Sequence, residues 1–251
     1  MGFSSAEFKP FKLEKVERVN HNVKLFRFST QNNQDGLPVA SCVLFRHVDK
    51  ESEHKEVIRP YTPTAMSESH VDFIIKDYAQ GNMSRHLHTL QIGDEVEMKG
   101  PIMKYNWQKK PVDHVGMIAA GTGITPMLQF IRKEFSSNSS TTSKFTLIYA
   151  NKEEQDILFR EELTQLVKEH PDRFKVVYVL ENAGQHWQAP MGYVTEDLIN
   201  QYIPSASLVF VCGPPPFMEM VSGDKNPDKS QGPLKGYLKR LGYKQDCVCK
   251  L

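Results

Sequence analysis

Three short clusters carry residue types that could do chemistry together. The first is Gly121-Thr122-Gly123-Ile124-Thr125-Pro126, directly after the apolar run Val115–Ala119. Glycines let a backbone approach a ligand closely, and a helix start offers unpaired N–H groups and a positive dipole to anionic or polar groups. The spacing predicts Thr125 as N-cap and Pro126 as the first helical residue. Proline stands where the ordinary dinucleotide fingerprint has its third glycine, so alone the loop reads either as a nucleotide loop or as a plain tight turn. The second cluster is Arg59-Pro60-Tyr61-Thr62-Pro63. Arginine supplies a fork for phosphate oxygens, tyrosine a flat ring with a hydroxyl, and threonine a second hydroxyl. The competing reading is a strand that ends in a proline turn with an exposed arginine. The third is Cys212-Gly213-Pro214-Pro215-Pro216-Phe217-Met218, after the apolar Leu208–Val211. Ligands of open parallel sheets lie beyond the carboxyl ends of the strands, so this loop and the Gly121 loop should face one crevice. Cys212 is then either a thiol in that crevice or a buried structural one.

These clusters need elements to position them. The first hundred residues read as strands at Phe11–Val19, Val23–Ser29, Cys42–His47, Val57–Tyr61, Val71–Tyr78 and Glu95–Lys99, several with two-residue alternation. Asp35-Gly36, Gly81-Asn82 and Gly93-Asp94 punctuate them as turns. Short strands broken by one small helix, about Ser84–Leu90, imply a closed or nearly closed antiparallel β-barrel. After Trp107 strands alternate with helices: Val115–Ala119, helix Pro126–Phe135, Phe145–Tyr149, helix Asp156–His170, Lys175–Leu180, helix Glu196–Ile203 and Leu208–Val211. That alternation implies a parallel sheet covered on both faces. The expected organisation is two domains, residues 1–107 as a barrel and residues 108–251 as a doubly wound α/β unit, with Gln108–Asp113 as linker and Ser136–Ser143 as a solvated loop.

Composition narrows the classes further. The 251 residues carry 31 Lys+Arg against 30 Asp+Glu, a net charge of +1, which argues against nucleic acid as the main partner. No apolar run approaches the roughly 18–20 residues that span a bilayer, and Met1–Phe11 lacks the layout of a signal peptide. Four cysteines, Cys42, Cys212, Cys247 and Cys249, form no C-x-x-C pair, so no metal site is read; Cys247 and Cys249 read as ordinary tail residues.

In this order the three motifs resemble the ferredoxin–NADP reductase superfamily and, within it, the NADH–cytochrome b5 reductases, over essentially the whole chain from about Phe11. Lys99-Gly100-Pro101-Ile102-Met103-Lys104, Asp228–Gly232 and Leu241-Gly242-Tyr243 look most like the fungal mitochondrial branch. The resemblance implies a ferredoxin reductase-like fold, FAD on the barrel and NADH on the second domain. It implies hydride transfer from NADH to FAD and then single electrons to cytochrome b5 or a similar acidic haem protein. By matching motifs, Arg59 and Pro60 meet the flavin diphosphate, and Tyr61 and Thr62 meet the ribityl chain and ring. Ile74 and Lys76 line the flavin, with Lys76 also near the nicotinamide; Gly81, Asn82, Met83 and Ser84 open the small helix at the diphosphate. Gly121, Thr122 and Gly123 form the nicotinamide loop, Thr125 touches the flavin, and Cys212, Gly213 and Pro214 stand at the hydride-transfer point. Thr62, Lys76 and Cys212 are the catalytic candidates.

Glu181, after Val176–Leu180, matches the family's aspartate. A carboxylate there accepts hydrogen bonds from the adenosine ribose and repels the extra phosphate of NADPH; the alternative is a solvated strand-end glutamate. Lys9, Lys12, Arg85, Lys104, Lys109 and Lys110 are candidates for a basic docking face, or ordinary solvated charges. Departures from the family pattern are Ala120 for a glycine, Asn82 for a lysine, Ala79 for an aromatic and Leu251 for a phenylalanine. Two other readings are the flavin–NADH fragment of a nitrate reductase and a flavin-binding scaffold without turnover. The expected state is a soluble monomer as given. The expected place is mitochondrial (outer membrane or intermembrane space) or the cytosol-facing endoplasmic reticulum, with membrane association only through a segment absent from this chain.

Overall fold

The computed structural model describes residues 2–30, 37–49, 55–107, 112–136, 142–204 and 206–251. The Asp35-Gly36 turn, Lys109 and Lys110, and most of the expected linker and serine-rich loop lie outside the described residues. The chain divides into two compact units, Met1–Trp107 and Gln108–Leu251.

The first unit is an antiparallel sheet of seven strands. They are β1 (Lys9–Arg18), β2 (Val23–Ser29), β3 (Ser41–Asp49), β4 (Lys55–Tyr61), β5 (Ala65–Met66), β6 (His70–Lys76) and β7 (Glu95–Met103), with helix α1 (Asn82–Thr89) between β6 and β7. The order is β4-β3-β7-β1-β2-β6-β5. β1 serves two neighbours in turn: Lys9–Lys12 pair with β7 and Leu13–Arg18 with β2, with a register shift between Leu13 and Lys15. Such a hand-over bends the sheet, and the two halves wrap one core. Phe11, Leu13, Phe26, Phe28, Val43, Phe45 and Phe73 meet there with essentially no exposure. Phe45 stands edge-on to Phe73 at 4.8 Å, a geometry worth about 1 kcal/mol beyond area burial. Among the described residues the ladders form an open series with β4 and β5 at its edges, so the barrel is curled rather than ringed by hydrogen bonds.

The second unit is a parallel five-stranded sheet. Its elements are β8 (His114–Ala120), α2 (Ile124–Glu134), β9 (Lys144–Asn151), α3 (Arg160–Glu169), β10 (Phe174–Leu180), α4 (Glu196–Tyr202), β11 (Leu208–Cys212), α5 (Pro215–Val221), α6 (Gly236–Arg240) and β12 (Val248–Lys250). The order β10-β9-β8-β11-β12 reverses direction between β8 and β11. One face carries Ile118, Ile148, Val179, Val209 and Val211, packed with Ile199 of α4, Ile203 at its C-cap, Val221 of α5 and Leu238 of α6. On the other, Phe130 of α2 stacks on Phe210 of β11 at 4.3 Å. There a two-pronged ion pair, Arg132 to Glu162 at 2.6 and 2.7 Å, ties α2 to α3. The sheet is therefore wound on both faces.

Several local expectations change. Helix α2 starts at Ile124, so Gly123 is its N-cap and Thr125 lies inside the first turn, where its hydroxyl donates to Thr122 O at 3.0 Å. Pro126 is accordingly the third helical residue, still within the turn whose N–H groups need no partner. The expected helix Asp156–His170 is a 3₁₀ turn at Glu154–Asp156 followed by α3, broken by Phe159 at φ +58°. The strand through Tyr78 stops at Lys76. Cys249 is not an ordinary tail residue: it sits buried in β12, opposite Phe210 of β11, while Cys247 is half-exposed in the 3₁₀ turn before it.

Candidate functional site

In the first unit, β4 delivers Arg59 and Tyr61 to its end, and α1 lies against β4. Arg59 is exposed, and its guanidinium donates to the Ile58 carbonyl at 2.8 Å. Tyr61 is half-buried against Phe45, ring centres 4.8 Å apart, and burial pushes its phenol well above the ordinary range. The ring is a neutral platform with a hydroxyl, not an acid. Thr62 is half-buried beside it, while Ile74 and Lys76 lie along β6, Ile74 buried and Lys76 half-exposed at the strand end. A tight turn joins β6 to α1: Gly81 N–H donates to Tyr78 O, and Ser84 Oγ bridges Tyr78 N and Gly81 O. Ser84 is thus spent on the turn. The first N–H groups of α1, from Asn82 and Met83 onward, carry no side-chain cap, and no acid stands in the first turn. An uncapped helix start beside an arginine strand is a donor set for a diphosphate. These residues fit FAD.

In the second unit, the loops after β8 and β11 meet at the point where strand order reverses. A Cβ on Gly123 would fall 2.2 Å from Cys212 O, so only glycine permits that approach. Gly121 adopts φ +53°, and the space where its Cβ would stand is open, leaving backbone accessible to a ligand. Ala120 faces Gly213: a Cβ there would lie 3.1 Å from the alanine methyl, so this departure from the family narrows the joint between the loops. Cys212, Gly213 and Thr122 are half-buried, Thr125 buried and Pro214 exposed. α2, like α1, starts without a side-chain cap or a first-turn acid. Glu181 follows β10 and is exposed; its N–H donates to Asn151 O at 3.0 Å. The residues fit a dinucleotide: open glycine backbone and a helix start at one end, a carboxylate beyond β10 at the other. The sequence reading missed Tyr149, whose hydroxyl donates to Gly121 O at 3.1 Å and accepts from Leu158 N–H at 3.3 Å. Its only signal was a polar-tipped residue within the apolar stretch Leu147–Ala150 of β9.

Comparison with known proteins agrees with this geometry. The family described as "Oxidoreductase FAD-binding domain" matches residues 10–107, and "Oxidoreductase NAD-binding domain" matches residues 117–223. The "NADH-cytochrome b5 reductase 2" of Coccidioides immitis (strain RS) is 43% identical over 247 residues, 95% of this chain and 75% of that protein. The cytochrome b5 reductase domain of Ulva prolifera nitrate reductase superposes with TM-score 0.82 at 29% identity, covering 99% of this chain and 98% of that one. A ferredoxin NADP+ reductase from Neisseria gonorrhoeae, at 16% identity and TM-score 0.71 over 97% of this chain and 98% of that one, shares the fold alone. The nitrate reductase domain is a structural neighbour, but the fungal NADH-cytochrome b5 reductases match at higher identity. With two cofactor-domain families covering most of its length and fungal relatives above 40% identity, the chain belongs to the NADH–cytochrome b5 reductases, FAD- and NAD-binding oxidoreductases of ferredoxin reductase-like fold.

Proposed function

We propose that this chain carries electrons from NADH, through FAD held on residues 1–107, to cytochrome b5 or a similar acidic haem protein. The observation that carries the reading is the pairing of the Gly121 and Cys212 loops at the reversal point of the parallel sheet. Bound FAD and NADH supply the redox chemistry, a two-electron hydride transfer parcelled into one-electron steps. The protein's work is placement. Arg59 and the α1 N–H groups would neutralise and fix the FAD diphosphate, Tyr61 and Thr62 would orient the flavin, and Ile74 and Lys76 would line it. Gly121 and Gly123 would leave backbone open to the nicotinamide, and, as the family resemblance implies, Thr125 would touch the flavin and Cys212 would stand at the hydride-transfer point without acting as a base. Glu181 selects NADH over NADPH by its charge.

The acceptor assignment draws on the printed names of the relatives. Lys12 and Arg85 are exposed, and Lys9 is half-exposed and paired with Glu7, so the first unit has cations to offer an acidic rim. Among the described residues no helix is long and apolar enough to cross a membrane. Action as a monomer, at a mitochondrial or endoplasmic reticulum membrane surface, belongs to the same proposal and rests on the family resemblance. The test is optical. Purified protein should be yellow, bleach with NADH, and regain colour when oxidised cytochrome b5 is added. Yellow protein that NADH does not bleach would be a scaffold, and bleached protein that cytochrome b5 does not reoxidise would remove the acceptor.

A further inference from the structure

Asn151 is the last residue of β9 and is only 6% exposed, yet neither its Oδ1 nor its Nδ2 has a hydrogen-bond partner. Its polar neighbour on the same face of the strand, the Tyr149 hydroxyl, donates to Gly121 O and accepts from Leu158 N–H; the Asn151 amide beside it makes no well-formed hydrogen bond, though it partly offsets the upward push of burial on that phenol. Among the described residues four buried side chains hold polar atoms without a partner, Asn22, Asn151, Arg173 and Tyr178, and Asn151 alone contributes two such atoms. By contrast, Asp72 receives two bonds of 2.7 Å from Arg27, and the Lys250 ammonium donates to the carbonyls of Asp224 and Pro233. A buried carboxamide left unpaired costs about 1–3 kcal/mol, and native folds keep such groups chiefly where function needs them.

Its place in the sheet indicates which function. The register aligns Tyr178 of β10, Tyr149 of β9, Ala119 of β8 and Cys212 of β11 in one row. Asn151 stands two residues beyond that row, on the Cys212 face, at the carboxyl rim. On one side lies Gly121, directly after β8; on the other is Glu181, directly after β10, whose N–H bonds the Asn151 carbonyl. A dinucleotide running from the Gly121–Cys212 joint to Glu181 must pass over β9. The part that passes is the ribose–diphosphate middle, which presents phosphate acceptors next to hydroxyl donors. A carboxamide offers the complement, two N–H donors and one carbonyl acceptor.

We propose that Asn151 is a coenzyme-recognition residue for the ribose–diphosphate stretch of NADH, an inference that rests on the coenzyme reading given above. The fold leaves the amide unsatisfied, and bound coenzyme supplies the missing partners. Binding of NAD+, ADP-ribose and AMP to the FAD-loaded protein, followed by titration calorimetry, tests this with Asn151→Ala and the volume-conserving Asn151→Leu. Both variants should weaken NAD+ and ADP-ribose about tenfold, the loss of roughly one net hydrogen bond to a charged group. AMP should stay within about twofold, and the thermal midpoint without coenzyme should hold or rise, because a buried unpaired amide has gone. KM for NADH should rise while flavin reduction at saturating NADH is kept. Unchanged ADP-ribose affinity in both variants would overturn the role of Asn151. A lowered midpoint with equal losses for all three ligands would make it a structural residue and overturn it equally. Wild-type protein that bound none of the three would instead overturn the coenzyme reading itself.

Discussion

Arg59 projects from the end of β4 with its guanidinium in solvent, bonded to the carbonyl of the residue before it. Little of the fold leans on it. Arg59→Ala should therefore keep the far-ultraviolet spectrum and lose FAD, with affinity down roughly thirtyfold, the equivalent of about 2 kcal/mol for a charge-assisted contact. A variant purified with full FAD would move the diphosphate elsewhere. Cys212 sits where Gly123 approaches most closely, so Cys212→Ser changes one atom at a fixed backbone. Stopped-flow reduction by NADH should slow about tenfold with little change in NADH affinity, the mark of a contact made mainly at the transition state. An unaltered rate would take the thiol out of the reacting geometry. Glu181 is exposed at the end of β10, free of packing duties, so Glu181→Thr should fold normally. Its ratio of kcat/KM for NADH over NADPH should fall at least about tenfold, since the repelling charge is gone. Equal use of both coenzymes by the unmodified protein would refute the selector.

At the scale of elements, the joint between the β8–α2 and β11–α5 connections has no slack. Gly123→Ala would press a methyl into the Cys212 carbonyl at 2.2 Å, and backbone must yield. We expect a loss of about 2–3 kcal/mol in denaturant stability, as for overpacked sites, with NADH-driven bleaching abolished and FAD still bound. A variant of wild-type stability would show that the two loops can separate freely. This joint also marks what the sequence could show. Strands such as Val23–Ser29 were legible because one buried face imposes alternation, and the glycines were legible because few other residues tolerate φ +53°. The start of α2 was misjudged by two residues because a threonine followed by proline fits an N-cap equally well. β12 was illegible: Val-Cys-Lys is short, and a buried lysine looks like a solvated one until the carbonyls of Asp224 and Pro233 are seen around it. α5 hid behind three consecutive prolines, tolerated only because two of them fill its first positions. Asn151 was illegible for a different reason, since nothing in a sequence reveals that an amide lacks partners.

For the molecule as a whole, both units are tuned against acid. Burial, then the neighbouring His47, holds His86 below the usual histidine value of 6.5. Burial, then Lys144, does the same to His114 in the second unit. A histidine kept neutral by the fold contributes stability that is complete above about pH 6.5 and is lost as pH falls toward its depressed value. The urea midpoint should therefore drop between pH 7.5 and 5.5, and His86→Phe together with His114→Gln should flatten the slope. The same slope in that double variant would assign the acid sensitivity to other groups. The strand order of the first unit has a consequence for how the chain is made. β7 lies between β3 and β1, joining Lys9–Lys12 to Glu95–Met98 across more of the chain than any other pairing in that unit. As the polypeptide is synthesised, β3 with β4 and β1 with β2 and β6 can pair first, but each half keeps an open edge until residues 95–103 emerge. Those edges, carrying Phe11 on β1 and Phe45 on β3, are the stretch of nascent chain most in need of shielding, and the arrival of a single late strand closes both at once.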